Sequence, residues 1–199
     1  MTPSTAEDAR WDILTAELQE RLDQGEQILW TGRPQQGLLL RKGELLGIPF
    51  SVLWCGFAIF WESQVLTHNA PWFFALWGIP FILIGVYLVV GRFVVDAWRR
   101  QRTVYAVTDR RALILSGLRT PSLKSLDIEG LTDIELQDDG ADRGTLVLGL
   151  SPMNNAANFL GRGWPGAAAY MAPAFERIDD AASVLRVIRE ARKRAKDRA

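Results

Sequence analysis

Two charge-free apolar runs, Leu45 to Trp61 and Ala70 to Gly91, lie almost back to back in this chain, with only the short polar stretch Glu62 to Asn69 between them. A helix crosses the hydrocarbon core of a bilayer with about 20 apolar residues, and about 17 to 25 are tolerated. Both runs meet that length, the first at its lower limit. A helix lying on a soluble core carries one apolar stripe and a charged face, and neither run has a charged face. The two runs are therefore expected to form a membrane helical hairpin, which puts the segments before and after it on the same side of the bilayer. The alternative, a pair of buried core helices in a soluble protein, must account for arginine at the inner ends of both runs and tryptophan at their outer ends.

Orientation follows from the cations. Arg33, Arg41 and Lys42 precede the first run, Arg92, Arg99, Arg100 and Arg102 follow the second, and the connecting stretch has no Lys or Arg. Basic residues stay on the cytoplasmic side, so both termini are expected there, in a multi-pass inner (cytoplasmic) membrane protein. Trp61 and Trp72 fall at the expected outer interface, with Trp98 just beyond the inner one; indole rings favour both depths. No early apolar run is present to act as a cleavable signal. Cys55 is the lone cysteine, which excludes an intramolecular disulfide and a multi-cysteine metal site.

The formal charge is zero, from 23 basic and 23 acidic residues, but the two signs are segregated. Ala112 to Leu185 is acidic, and the tail from Arg186 to Arg198 is basic. A basic helix end beside a membrane attracts anionic lipid. A solvated face whose cations suit the negative end of the helix dipole accounts for the same residues and is the favoured reading.

Three segments follow. Residues 1–42 are expected to hold an amphipathic helix over Ser4 to Asp23, with Ser4 and Glu7 at capping-box spacing and Trp11, Leu14, Leu18 and Leu22 on one stripe, then a short strand around Ile28 to Thr31. Residues 43–102 are the two-span hairpin with a basic helical continuation. Pro80 near the middle of the second span should bend it, and Trp54 and Trp77 lie deep, either contacting a membrane partner or filling the seam between the two helices. In residues 103–199, short strand-like segments run from Val104 to Leu150 with turns at Asp109 to Arg111, Gly117 to Ser122, Glu129 to Leu131 and Asp138 to Gly144, indicating a small antiparallel sandwich or barrel. Ser151 to Ala168 reads as a long loop bearing Phe159 and Trp164, followed by weak strand character at Tyr170 to Arg177 and a helix capped by Asp179.

The run Thr103-Val-Tyr-Ala-Val-Thr-Asp-Arg-Arg-Ala-Leu-Ile114, and the segment Gly25, Glu26, Ile28, Leu29, Trp30, Gly32, Arg33 and Pro34 ahead of a two-span hairpin, resemble the bacterial pleckstrin-homology-like (bacterial PH domain) membrane proteins. The resemblance covers Gly25 to Ala191. It implies a membrane α-helical hairpin plus a cytoplasmic PH-like split β-barrel, seven antiparallel strands capped by a C-terminal helix. Eukaryotic relatives of that fold often bind phosphoinositides through a basic first hairpin loop. Here that loop is only Asp109, Arg110 and Arg111, short for an inositol head group.

Catalytic machinery has no visible basis. Gly161, Gly163 and Gly166 fit G-x-G-x-x-G, but Pro165 and the Asn-rich approach deny the strand and helix that a dinucleotide site needs. His68 is alone in the outer stretch. Asp138, Asp139 and Asp142 lack the spacing of a calcium loop, and the cytoplasmic part has no histidine to act as a base. The expectation is a non-enzymatic binding or scaffolding module without cofactor, metal or nucleic-acid partner. Its partners are the lipid bilayer and another membrane protein or a second copy, so that it acts as an accessory subunit. Trp54, Trp77 and Pro80 are expected to meet a membrane partner, and Phe159 and Trp164 a cytoplasmic one. The alternative is a sensor of anionic lipid or a small amphiphile, using Arg99, Arg100, Arg102, Arg110 and Arg111.

Overall fold

The structure, a computed structural model, describes residues 5–37, 47–68, 71–117, 121–131, 133–140, 143–149 and 172–198. They divide into two compact units, one from residues up to 36, 98–149 and 172 onward, the other from residues up to 97 that include the two apolar helices. The N-terminal segment thus belongs with the strands.

In the first unit, β1 (Ile28–Gly32), β2 (Val104–Thr108), β3 (Arg111–Ser116) and β4 (Ser122–Asp127) form one antiparallel sheet in that order. A second antiparallel sheet has the order β5 (Ile134–Gly140), β6 (Arg143–Leu148), β7 (Ala174–Asp179). The sheets remain separate and do not close into a barrel. Helix α1 (Thr5–Glu20) precedes β1, and a C-terminal helix of the sequence Ala181–Arg198 follows β7.

Strands β2 and β3 are buried along nearly their whole length because both of their faces are covered. Successive side chains point to opposite faces of a sheet. Tyr105, Val107, Ala112 and Ile114 join Leu146, Leu148, Phe175 and Ile178 of the second sheet, and Val184 and Ile188 of the C-terminal helix, in the main core. Val104, Ala106, Leu113 and Leu115 face the other way onto Leu18, with Trp11, Leu14 and Leu22 at the margin. The apolar stripe of α1 therefore serves as the cover of a sheet. The continuous apolar runs Val104–Val107 and Ala112–Leu115 are the signature of a strand covered on both sides.

Phe175 is fully buried between two rings, 4.8 Å from Tyr105 and 5.8 Å from Trp30, centroid to centroid. The Tyr105 hydroxyl also accepts the Glu176 backbone N–H at 3.2 Å. Tyr105→Phe keeps the ring and removes that hydrogen bond, so it is expected to cost ~1 kcal/mol, measured as a lowered midpoint in thermal unfolding of the purified protein.

Two local expectations are corrected. Asp138 and Asp139 lie within β5 rather than in a turn, because β5 stays paired with β6 as far as Gly140 opposite Arg143, through an irregularity after Asp138. The cap of the C-terminal helix is Asp180, one residue later than expected: its Oδ1 accepts the Ser183 N–H at 3.2 Å while Ser183 Oγ donates to the Asp180 carbonyl at 2.9 Å. Hydrogen bonding from the Ser183 side chain and N–H to the Asp180 carboxylate holds that carboxyl below its ordinary range. Asp179 pairs instead with Arg143 at 2.8 Å.

The second unit contains α2 (Gly47–Thr67), α3 (Trp72–Val86) and a π-helical turn (Tyr87–Gly91). Helix α4 (Arg92–Arg100) continues directly from that turn. The C-terminal helix is therefore α5. Helix α2 does not stop at the end of its apolar run but takes in Glu62, Ser63 and Gln64. Ser63 Oγ donates to the Phe60 carbonyl at 2.6 Å and Thr67 Oγ1 to that of Ser63 at 2.7 Å. Nothing in Glu62–Thr67 denies the backbone a helical bond, and the next proline comes only at position 71. Helix α3 runs through Pro80 without ending there.

Candidate functional site

Small residues draw α2 and α3 together. Gly47, Ser51 and Ala58 are the buried positions of α2, and Gly78 and Gly85 those of α3. Gly85 lies against the backbone of Cys55, and the Glu62 carboxylate lies against Gly78. The partner order reverses along the two helices, so they run antiparallel. Such stripes of small residues let helix backbones approach closely where lipid, rather than water, surrounds them.

With the seam filled by small residues, the large ones point outward. Leu53, Phe57, Phe60, Trp61, Trp72, Phe73, Leu76, Trp77 and Leu83 are all exposed, Trp72 at 77% and Trp77 at 69%. Only 11% of the apolar window in Gly47–Thr67 and 17% of that in Trp72–Arg100 is buried. Both helices are long and apolar enough to cross a membrane. Helices in the core of a soluble protein would bury most of such windows.

Of the three residues expected at a membrane contact, two are linked by aromatic packing. Trp54 packs 6.4 Å from Phe81, which is 6.3 Å from Trp77, and Phe50 lies 6.2 Å from Trp54. Trp54 is half-buried, and its Nε1 is buried without a hydrogen-bond acceptor among the described residues. Trp54 lies in the packing between the helices, whereas Trp77 offers most of its ring outward. Pro80 is exposed beside them. Phe159 and Trp164, the expected cytoplasmic contacts, lie outside the described residues, as does the G-x-G-x-x-G stretch.

The five arginines expected at a lipid head group do not act alike. Arg111 turns inward, and its Nε and Nη2 donate to Glu26 Oε1 and Oε2 at 2.9 and 2.7 Å. Thr108 Oγ1 donates to the same Glu26 at 2.6 Å and accepts the Arg111 N–H at 2.9 Å, so it closes the β2–β3 turn around the ion pair. The Glu26 side chain is fully buried. Burial alone would raise its pKa, but the hydrogen bonds from Arg111, Thr108 and the Asp23 backbone, with the Arg111 charge, bring it down to about 2. The same bond to Glu26 raises the Arg111 pKa against the effect of burial.

Arg110, beside it, is exposed and uses its carbonyl to accept the Ile128 N–H at 2.9 Å. Arg100 is buried, and its carbonyl accepts from Gln36 Nε2 at 3.4 Å and from the Thr103 N–H at 3.1 Å. Arg102 stacks over the Trp98 ring at 4.7 Å, and Arg99, half-buried, uses its carbonyl to accept from Thr103 Oγ1 at 2.9 Å. The turn that the resemblance singles out therefore presents one outward arginine, Arg110, with Arg111 built into the fold.

Among the described residues, no group of three or more His, Cys, Asp or Glu side chains is placed to hold a metal ion. The His68 ring nitrogen Nδ1 lies 2.9 Å from the Gln64 carbonyl and so caps the end of α2. Residues that sequence reasoning passed over are Glu26, Gly78 and Gly85. The seven-residue spacing of the two glycines was a readable signal for a packed seam, but the partner of Glu26 is 85 positions away and no local pattern announces it. No family model, curated protein or solved structure matches this chain.

Proposed function

We propose that this protein is a non-catalytic binding or scaffolding module held in the cytoplasmic membrane by the α2–α3 hairpin, with both termini on the cytoplasmic side, and that it serves as an accessory subunit of another membrane protein. The observation that carries this reading is the outward-facing apolar and aromatic surface of two long helices whose own contact is lined by small residues. Surface of that kind is covered by lipid or by another apolar helix. Seven strands in two antiparallel sheets, followed by one helix, among the described residues support a PH-like arrangement. The inward commitment of Arg111 favours protein over lipid as the ligand of the β2–β3 turn.

Two measurements test this. The protein is expected to stay in the membrane fraction through alkaline carbonate washing and to need detergent for release; release without detergent overturns the anchoring. Purification in mild detergent is expected to recover a second membrane protein in fixed stoichiometry, and Trp77→Ala, which removes the most outward ring of the aromatic row, is expected to weaken that recovery. Recovery solely as a lone monomer overturns the accessory role.

A further inference from the structure

We infer that Arg92 holds the phosphate group of a bilayer phospholipid at the inner end of the hairpin; this rests on the hairpin being inserted in a membrane. Arg92 is only 7% exposed, and its Nε and Nη2 are buried without an acceptor among the described residues. Those two nitrogens form one edge of the guanidinium, the same edge with which Arg111 grips both oxygens of Glu26. An edge of this shape takes two oxygens of a carboxylate or a phosphate at once. A buried guanidinium without a counter-anion is strongly unfavourable, and the Phe93 ring, 4.6 Å from the guanidinium carbon, gives partial compensation.

Depth selects phosphate. Arg92 lies twenty residues after Trp72, a helical distance of about 30 Å, which is the thickness of the hydrocarbon core. If Trp72 lies at the outer interface, Arg92 comes to the level of the inner-leaflet phosphates. The π-helical turn Tyr87–Gly91 ends immediately before it, with the Arg92 N–H bonded back to the Tyr87 carbonyl. Such a turn changes the phase of a helix and recurs at functional sites. A phosphodiester carries one negative charge and two free oxygens, which matches one guanidinium edge.

The full-length protein, reconstituted in nanodiscs of phosphatidylglycerol and phosphatidylcholine and then stripped in detergent, is examined by native mass spectrometry. The wild type is expected to keep one phospholipid, and Arg92→Gln to lower the retained fraction at least tenfold. Arg92→Lys keeps the charge without the two-pronged edge and is expected to fall in between; since it preserves the cation, it serves as the test if Arg92→Gln fails to fold. Equal retention in wild type and the folded variant overturns the inference. So does displacement of the lipid by millimolar inorganic phosphate, which assigns the site to the free anion, or loss of a bound polypeptide instead of a lipid. Asp96, a buried carboxylate one helical turn after Arg92 on α4, is the control: Asp96→Asn is expected to leave retention unchanged or higher, and a loss matching that of Arg92→Gln would overturn the inference. A wild type that resists carbonate extraction yet keeps no lipid rejects this site alone, whereas one released by carbonate rejects the anchoring.

Discussion

Alanine at position 26 is expected to destabilise the strand-bearing unit by about 3–5 kcal/mol, the usual effect of removing one partner from a buried ion pair. That is a large part of the ~5–15 kcal/mol that holds a typical domain folded. Glu26 receives three side-chain hydrogen bonds, two from Arg111 and one from Thr108, and its removal leaves all three donors without that acceptor. The pH dependence has a defined sign. The folded pKa is about 2 against an ordinary 4.5, so the carboxylate binds its proton more weakly in the folded state. Its stabilisation is present in full above pH 4.5 and is lost as the pH falls toward 2. A difference of that size is worth ~3 kcal/mol. Thermal unfolding of wild type and Glu26→Ala across pH 2 to 7 is expected to show two curves far apart at neutral pH and converging toward pH 2. Curves separated by a constant amount across that range would show that the charge on Glu26 contributes nothing.

The second large effect is expected in the hairpin. A Cβ at position 85 would lie 2.9 Å from the Cα of Cys55 and 3.1 Å from its Cβ and Sγ. The closest obstacle is backbone, which cannot swing aside, so Gly85→Ala must push α2 and α3 apart. Forced overpacking costs about 1–3 kcal/mol, and Gly85→Leu more. Cys55 reports the change directly, since it is the lone cysteine and is half-buried in this contact. Its alkylation by a membrane-permeant maleimide is expected to accelerate severalfold in Gly85→Ala. Gly56→Ala is the control, because a Cβ there meets nothing within 4 Å; its labelling rate is expected to match wild type. Equal rates in Gly85→Ala and wild type would place the two helices further apart than described.

Local structure was legible wherever one short segment carried its own signal. The strands at Val104 to Thr108 and Ala112 to Ser116 show as branched, apolar runs flanked by turn residues, and they form there. The stripe Trp11, Leu14, Leu18 and Leu22 announced a covered helix face, though not the sheet that it covers. Boundaries were less legible. The run of β5 through Asp138 and Asp139 comes from pairing with β6, which overrides the turn preference of aspartate and glycine. Of the candidate site, the aromatic content of the two apolar helices and the basic residues that follow them were visible in sequence. The fate of each arginine was not: Arg110 and Arg111 are adjacent and chemically identical, yet one is exposed and the other grips Glu26.

By itself, the order of residues determined that two long apolar helices dominate the middle of the chain and that short strands follow, because helical length, hydropathy and alternation are properties of contiguous segments. Only the tertiary structure decided that β1 crosses the whole hairpin in sequence to pair with β2, that Glu26 meets Arg111, and that glycines set the distance between α2 and α3. The physical reason is that burial and ion pairing depend on what lies opposite a side chain in space, and here those partners stand from 16 to 85 positions away.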